Sequence, residues 1–543
     1  MQPSESAAGN IHSLRSDLRQ ALGKGRVLDS GGASERYGAS TSGVARRIGG
    51  AVSVRAVDEV QEVVRAAARY RVPLYPISTG HNWGYGTANP ASDDCVIVDL
   101  SGMDKVVGLD EELGIVTVEP GVTQQGLRDY LDEHNLPFLV PVHGGGPTCS
   151  IVGNALERGY GITPYTDHFG AVTALEAVLA NGERYRSALS ELGGLEADRA
   201  FKWGTGPYLD GLFTQGNFGI VTNMTLALAR TPQRVQVFFF RLASDADLEE
   251  AVVRVRQALR DLPGTLGGIN LMNTRRMLSM MAPYPQELVG ADGLITADGL
   301  AALAQRYRLP PWTGVGALYG PDKIVKAACA TLKHTLRPVA RRLLFVRPGF
   351  VRSVSAVFQS IPGARTSGIA NYVATAARSM DIMQGQPSEV ALPLAYWRSG
   401  VKPPDSRPLN PARDGCGLMW YAPLVPMKPD RVRAYVDMID QVCSEHGIEP
   451  LITLTSLSAR CFDSTVPILF DASSDTEKDR ARACYEALFK SGQERGFVPY
   501  RAHVDLMPQI VRSDTVFWTT ARQLKQAIDP LNIIAPGRYT RSD

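Results

Sequence analysis

Apolar positions along the chain follow two spacings in turn. AVSVRAV (51–57) reads as a strand. EVQEVVRAAARY (59–70) then gathers its valines and alanines on one helical face, with Asp58 as the expected N-cap. PLYPI (73–77) predicts a buried strand that opens into the glycine-rich loop STGHNWGYG. A helix over 11–23 precedes these elements, and short strands are expected at 95–100, 105–109 and 114–121. A helix carrying Leu127, Tyr130 and Leu131 follows. ALEAVLANGERYR (174–186) predicts a hairpin with Asn181-Gly182 at a type I′ turn. Strands and helices alternate to about residue 232, which argues for mixed α/β packing.

Beyond that point the pattern changes. RVQVFFFRL (234–242) predicts a strand and 245–262 a long amphipathic helix. MWYAPLVPM (419–427) leads into a helix over 429–446, and a strand pair within 451–470 leads into another near 475–495. An antiparallel sheet with covering helices is the expected second unit. The stretch 363–415, rich in Gly, Pro, Arg and Ser, has no assignable period.

Length and charge narrow the function. A chain of 543 residues predicts two or three domains. With 57 Lys and Arg against 55 Asp and Glu, it lacks the electrostatic footprint of a nucleic-acid or membrane-surface binder. Seven cysteines without a C-x-x-C pair argue against a disulfide framework or a zinc site, and no metal is expected. The first residues lack a signal pattern, and three prolines and four glycines break the uncharged run 134–156. The expected location is the cytoplasm. Rossmann, P-loop, nucleophile-elbow and zincin motifs are all missing.

Three loops of small residues remain. Pro76-Ile77-Ser78-Thr79-Gly80-His81-Asn82-Trp83-Gly84-Tyr85-Gly86 follows a strand and can turn successive main-chain N–H groups toward a pyrophosphate. His143–Asn154 and Gln215–Thr222 have the same character. They read either as the cradle of an extended anionic cofactor or as three ordinary tight turns.

PLYPISTGHNWGYGTANP resembles the flavin-binding loop of the vanillyl-alcohol oxidase and p-cresol methylhydroxylase family. Residues 151–186, 206–222 and 317–321 are similar to further blocks of that family, as are PYRAHVDLM (499–507) and DPLNIIAPGRY (529–539). The resemblance implies an α+β fold: a two-lobed FAD-binding domain from both chain ends (1–235 and 497–543), interrupted by an antiparallel-sheet substrate cap (236–496). It also implies FAD contacts from Pro76, Ile77, Ser78, Thr79, Gly80, His81, Asn82, Tyr85 and Gly86. Pro141, Cys149, Ser150, Gly153, Asn154 and Gly159 join them, with Gly219, Ile220, Val221 and Arg538.

The family's phenolate site carries over to Tyr85, Tyr500 and Arg501. Two phenolic donors and a guanidinium would stabilise an ionised para-substituted phenol, easing hydride loss from its side chain to the flavin and giving a quinone methide. Two departures stand out. Where many family oxidases carry an aspartate after Val-Pro, this chain has Val142 and then His143. His143 is either a replacement base or charge partner, or a histidine bonded to a loop carbonyl. The strand pair at 451–470 holds Cys461, Asp463 and Ser464 but no tethering His or Tyr. His81 resembles instead the flavin-attachment histidine of berberine-bridge-type relatives, and Cys149 their cysteine. The expected activity is FAD-dependent oxidation of a small phenolic or related aromatic compound. Its alternative is a berberine-bridge-type oxidation of an alcohol, amine or natural-product intermediate. Oxygen or an electron-acceptor protein would take the electrons, and a homodimer is the default assembly.

Overall fold

A computed structural model of the chain describes residues 5–349, 377–512 and 514–540. The first part of the unassigned 363–415 stretch lies outside them; the rest begins with helical residues 377–382 and continues as loop around a short 3₁₀ helix, Leu392–Tyr396.

Three sheets form the frame. The first holds β1 (Val27–Leu28), β2 (Ile48–Ser53), β3 (Leu74–Ile77) and β4 (Cys95–Asp99) in the order β1-β2-β4-β3, with β2 and β3 parallel to β4. A parallel pair needs a crossover, and the helix Val57–Tyr70 supplies it, burying Val60, Val63, Val64, Ala66 and Ala67. Ala56, not Asp58, is the N-cap of that helix. The Glu59 carboxylate reaches back to accept the Arg55 N–H at 2.6 Å, so the first turn is capped from inside. The far end of the chain completes this sheet: Leu74 donates to Ile533 and accepts from Ala535, both at 2.7 Å.

The second sheet holds β5 (Val106–Asp110), β6 (Ile115–Val118), β7 (Val172–Val178), β8 (Arg184–Arg186) and β9 (Ile220–Ala227), ordered β5-β6-β9-β7-β8. The predicted hairpin is β7–β8, but its turn is not type I′. Gly182 N–H bonds Leu179 O at 2.8 Å, so Ala180 and Asn181 are the central residues. Only Gly182 takes the left-handed conformation (φ 81°), as in a type I turn followed by a bulge.

The third sheet is antiparallel throughout and has eight strands. These are β10 (Arg234–Leu242), β11 (Leu266–Asn273), β12 (Trp312–Gly320), β13 (Ala340–Val346), β14 (Cys416–Pro426), β15 (Thr453–Ser458), β16 (Cys461–Asp471) and β17 (Pro499–Arg501). Helices Leu248–Asp261, Asp322–Leu336, Pro429–Glu445 and Asp475–Arg495 cover one face. Strand alternation sends Phe238, Phe240, Leu271, Leu454 and Phe462 into that helix-side core. The residues between them face a cavity shared with the other sheets. β17 is the edge strand paired to β14, which brings Tyr500 and Arg501 onto this sheet. No helix among the described residues is long and apolar enough to cross a membrane.

Candidate active site

The cavity has a volume of about 1360 Å³ and is walled by the three glycine-rich loops on one side and the eight-stranded sheet on the other. Register aligns the sheet wall into two rows. One runs Asp463, Thr455, Asn270, Val315, Phe239; the next runs Thr465, Thr453, Met272, Thr313, Arg241, Arg342.

The loop wall carries an unused donor array. The main-chain N–H groups of Ser78, Thr79, Gly80, His81 and Asn82 donate to nothing among the described residues. These residues are half-buried, and a row of amides turned toward a cavity without acceptors is a ready seat for an anion. Gly153 faces this turn, and a Cβ there would lie 2.5 Å from Ser78 Oγ. These features fit the diphosphate of FAD. Every expected cofactor position lines the cavity except Gly86 and Pro141. Gly86 instead packs on Val504, and Pro141 is buried beside the core valines Val140 and Val142.

Tyr85 enters the cavity from a turn held on two sides. Trp420 N–H bonds Gly84 O at 3.2 Å, and Val504 N–H bonds Tyr85 O at 3.1 Å. Gly84 has φ 73°, and a Cβ on it would lie 2.2 Å from Trp420 Cδ1. The Arg501 guanidinium stands 4.0 Å over the Tyr85 ring, donating to Asn82 Oδ1 at 2.5 Å and to Glu157 at 3.2 Å. Glu157 also pairs with Arg538, which donates to Tyr75 at 3.2 Å. Burial alone would raise the Glu157 carboxyl, but Arg538 and Arg501 together hold it below its ordinary value. Tyr500 packs edge-on to Tyr160 at 5.8 Å. Burial pushes Tyr85 and Tyr500 well above the ordinary phenol pKa, so both keep their protons and can donate. Tyr85, Tyr500 and Arg501 therefore share one cavity.

His143 also lines the cavity, but its ring is engaged. Nδ1 accepts from Gly145 N–H at 3.1 Å, and Gln124 Nε2 lies 3.3 Å from Nε2. Burial, with His168 and Arg501 nearby, pulls it down to about 3, which favours the neutral ring over a charged one. Val142 is fully buried in an apolar cluster.

One carboxyl on the sheet wall also lines the cavity. Asp463 on β16 is 5% exposed and faces the cavity, with Oδ1 lacking a hydrogen-bond partner among the described residues. Burial pushes it up to about 7, against the pull of Arg501 and a hydrogen bond from Tyr500. A buried carboxyl at an inward strand position was the one available sequence signal for it.

His81 stacks on Trp83 at 4.7 Å, with Nδ1 3.3 Å from Thr148 O and 3.1 Å from Thr148 Oγ1. Burial lowers its pKa, leaving a neutral imidazole. Cys149 donates its thiol to Gly145 O at 3.0 Å, and burial pushes it up to about 12. It is a protonated thiol, and a thiol is a poor nucleophile. Among the described residues no group of three or more His, Cys, Asp or Glu could hold a metal ion.

A family model described as an FAD binding domain matches residues 49–188. The 1'-carboxy-chondrochloren decarboxylase of Chondromyces crocatus is 33% identical over 96% of both chains. The flavoprotein subunit of 4-cresol dehydrogenase [hydroxylating] from Pseudomonas putida is 29% identical, covering 90% of this chain and 87% of its own. A crystal structure of p-cresol methylhydroxylase with substrate bound superposes with a TM-score of 0.86 at 26% identity, covering 98% of this chain and 97% of that one. With the donor turn and the two-walled cavity, these similarities place the chain in the vanillyl-alcohol oxidase and p-cresol methylhydroxylase family of FAD-dependent oxidoreductases.

Proposed function

We propose that this enzyme oxidises the side chain of a para-substituted phenol by way of a quinone methide. The observation that carries the reading is the convergence of Tyr85, Tyr500 and Arg501 on one cavity beside an acid, Asp463, with a pKa of about 7.

The energetics decide whether such a site suffices. A phenol with a pKa of about 10 costs about 4 kcal/mol to ionise at neutral pH. Two tyrosine donors and a guanidinium contribute about 1.5–3 kcal/mol each, so their sum of about 4.5–9 kcal/mol covers that cost. The proton passes through the Tyr500 hydroxyl to Asp463. Net charge in the site is then unchanged, and no carboxylate repels the phenolate. FAD, when bound, supplies a two-electron acceptor for the side-chain hydride. The chain holds the phenolate, stores its proton and, through the methionines Met272, Met277 and Met280, presents an adaptable apolar wall to the rest of the substrate.

We further assign the flavin tether to His81 alone. Its neutral imidazole is a nucleophile, whereas Cys149 keeps its proton. The berberine-type branch often adds a second bond from the cysteine, and the protonated Cys149 thiol speaks against that bond here. Anaerobic titration with 4-alkylphenols and 4-hydroxybenzyl alcohols tests the main reading. Bleaching of the flavin absorbance is expected; an unchanged spectrum with every phenol would refute it.

A further inference from the structure

Helix Thr274–Met281 carries two adjacent arginines with different surroundings. Arg275 pairs with the buried Glu449 at 2.5 Å. Arg276 lines the cavity and, among the described residues, its side chain donates only to hydroxyls: Nε to Thr453 Oγ1 and Nη1 to Ser279 Oγ, both at 3.2 Å. No carboxylate pairs with it among the described residues. Arg276 is half-buried, and a guanidinium held in a cavity wall without a counter-charge favours binding an anion there. Burial alone pulls Arg276 down to about 10, which marks the same deficit.

Geometry says what could fill it. Two of the five N–H groups are engaged, leaving one on Nη1 and both on Nη2. The free Nη1 N–H and one Nη2 N–H can together offer the fork a carboxylate takes bidentately. Thr453, on which Arg276 rests, is one strand over and two residues along from Asp463 in the sheet register. Strand spacing puts the two backbone positions roughly 8 Å apart, about the span from a phenol oxygen to the carboxylate of a para side chain. Arg241 and Arg342, cross-strand neighbours in the Thr453 row, also lack a carboxylate partner among the described residues and add positive charge to that end of the wall.

We propose that Arg276 binds a carboxylate on the substrate's side chain, so that the substrate is a para-hydroxyphenyl acid and not a neutral phenol. This rests on the phenol-oxidation reading above and names the substrate class of that site.

The test compares 3-(4-hydroxyphenyl)propanoate with its methyl ester in anaerobic reduction of the holoenzyme, with 4-ethylphenol as the neutral reference. In the wild type the acid should be preferred over the ester by roughly 10- to 100-fold in apparent affinity, the worth of a charge-assisted pair. In Arg276→Gln that preference should fall to near 1, and Arg276→Lys should restore part of it. Equal use of acid and ester by the wild type overturns the proposal without needing any variant, as does a preference that survives Arg276→Gln. If 4-ethylphenol reduces the flavin but the acid has no advantage, only the carboxylate anchor falls. If no phenol of either kind reduces it, the phenol reading falls and the anchor with it.

Discussion

Asp463 is the residue on which proton handling turns. Its carboxyl, raised to about 7 by burial, ionises in the range where a base must operate. The rate of flavin reduction should therefore rise with pH through about 7, and Asp463→Asn should flatten that limb while slowing the reaction. A limb that persists in the variant would assign the titration to another group. Stability gives an independent sign. Because the folded pKa lies above the usual aspartate value, the folded state holds the proton more tightly, and stability falls as pH rises from about 4 to 7. Asp463→Asn should remove that decline and melt higher than wild type at alkaline pH. Tyr500→Phe removes one phenolate donor and should slow reduction by roughly 10- to 100-fold, read by stopped-flow absorbance.

Among the elements, the Tyr85 turn was legible in the sequence only together with its family resemblance, because glycine at a strand exit also makes ordinary tight turns. The structure gives the reason at Gly84: a left-handed φ against the Trp420 ring. Gly84→Ala should cost about 1–3 kcal/mol in unfolding free energy and should weaken phenol binding as the turn shifts. Wild-type stability in urea would contradict this. Asp463 and Arg276 were not legible in the same way. Asp463 is set by the register of β15 against β16, and Arg276 by which side of a two-turn helix meets the cavity. Both are long-range facts that local patterning does not encode. The Asn181-Gly182 turn shows the same limit in miniature: the dipeptide marked the hairpin, but the pairing register chose which residues occupy its centre.

At the scale of the whole molecule, the two ends of the chain meet around one cavity, with Ile533–Ala535 completing the first sheet and Tyr500–Arg501 the edge of the third. A cofactor held between such walls is enclosed by residues distant in sequence, which is why the order of matching segments, more than any single motif, revealed the family. If His81 tethers the flavin, denatured protein should retain it, and a proteolytic peptide containing His81 should carry the added mass. His81→Ala should release the flavin on denaturation. A flavin-bearing peptide lacking His81 would relocate the bond. Peroxide formed during turnover would identify oxygen as the acceptor, and its absence a protein or dye. The central claim, that this cavity ionises a phenol, has a direct optical test. Ultraviolet difference spectra of a 4-alkylphenol that binds without reacting should show the phenolate band at neutral pH in the wild type, and lose it in Tyr500→Phe. A bound phenol that keeps its neutral spectrum would contradict the account.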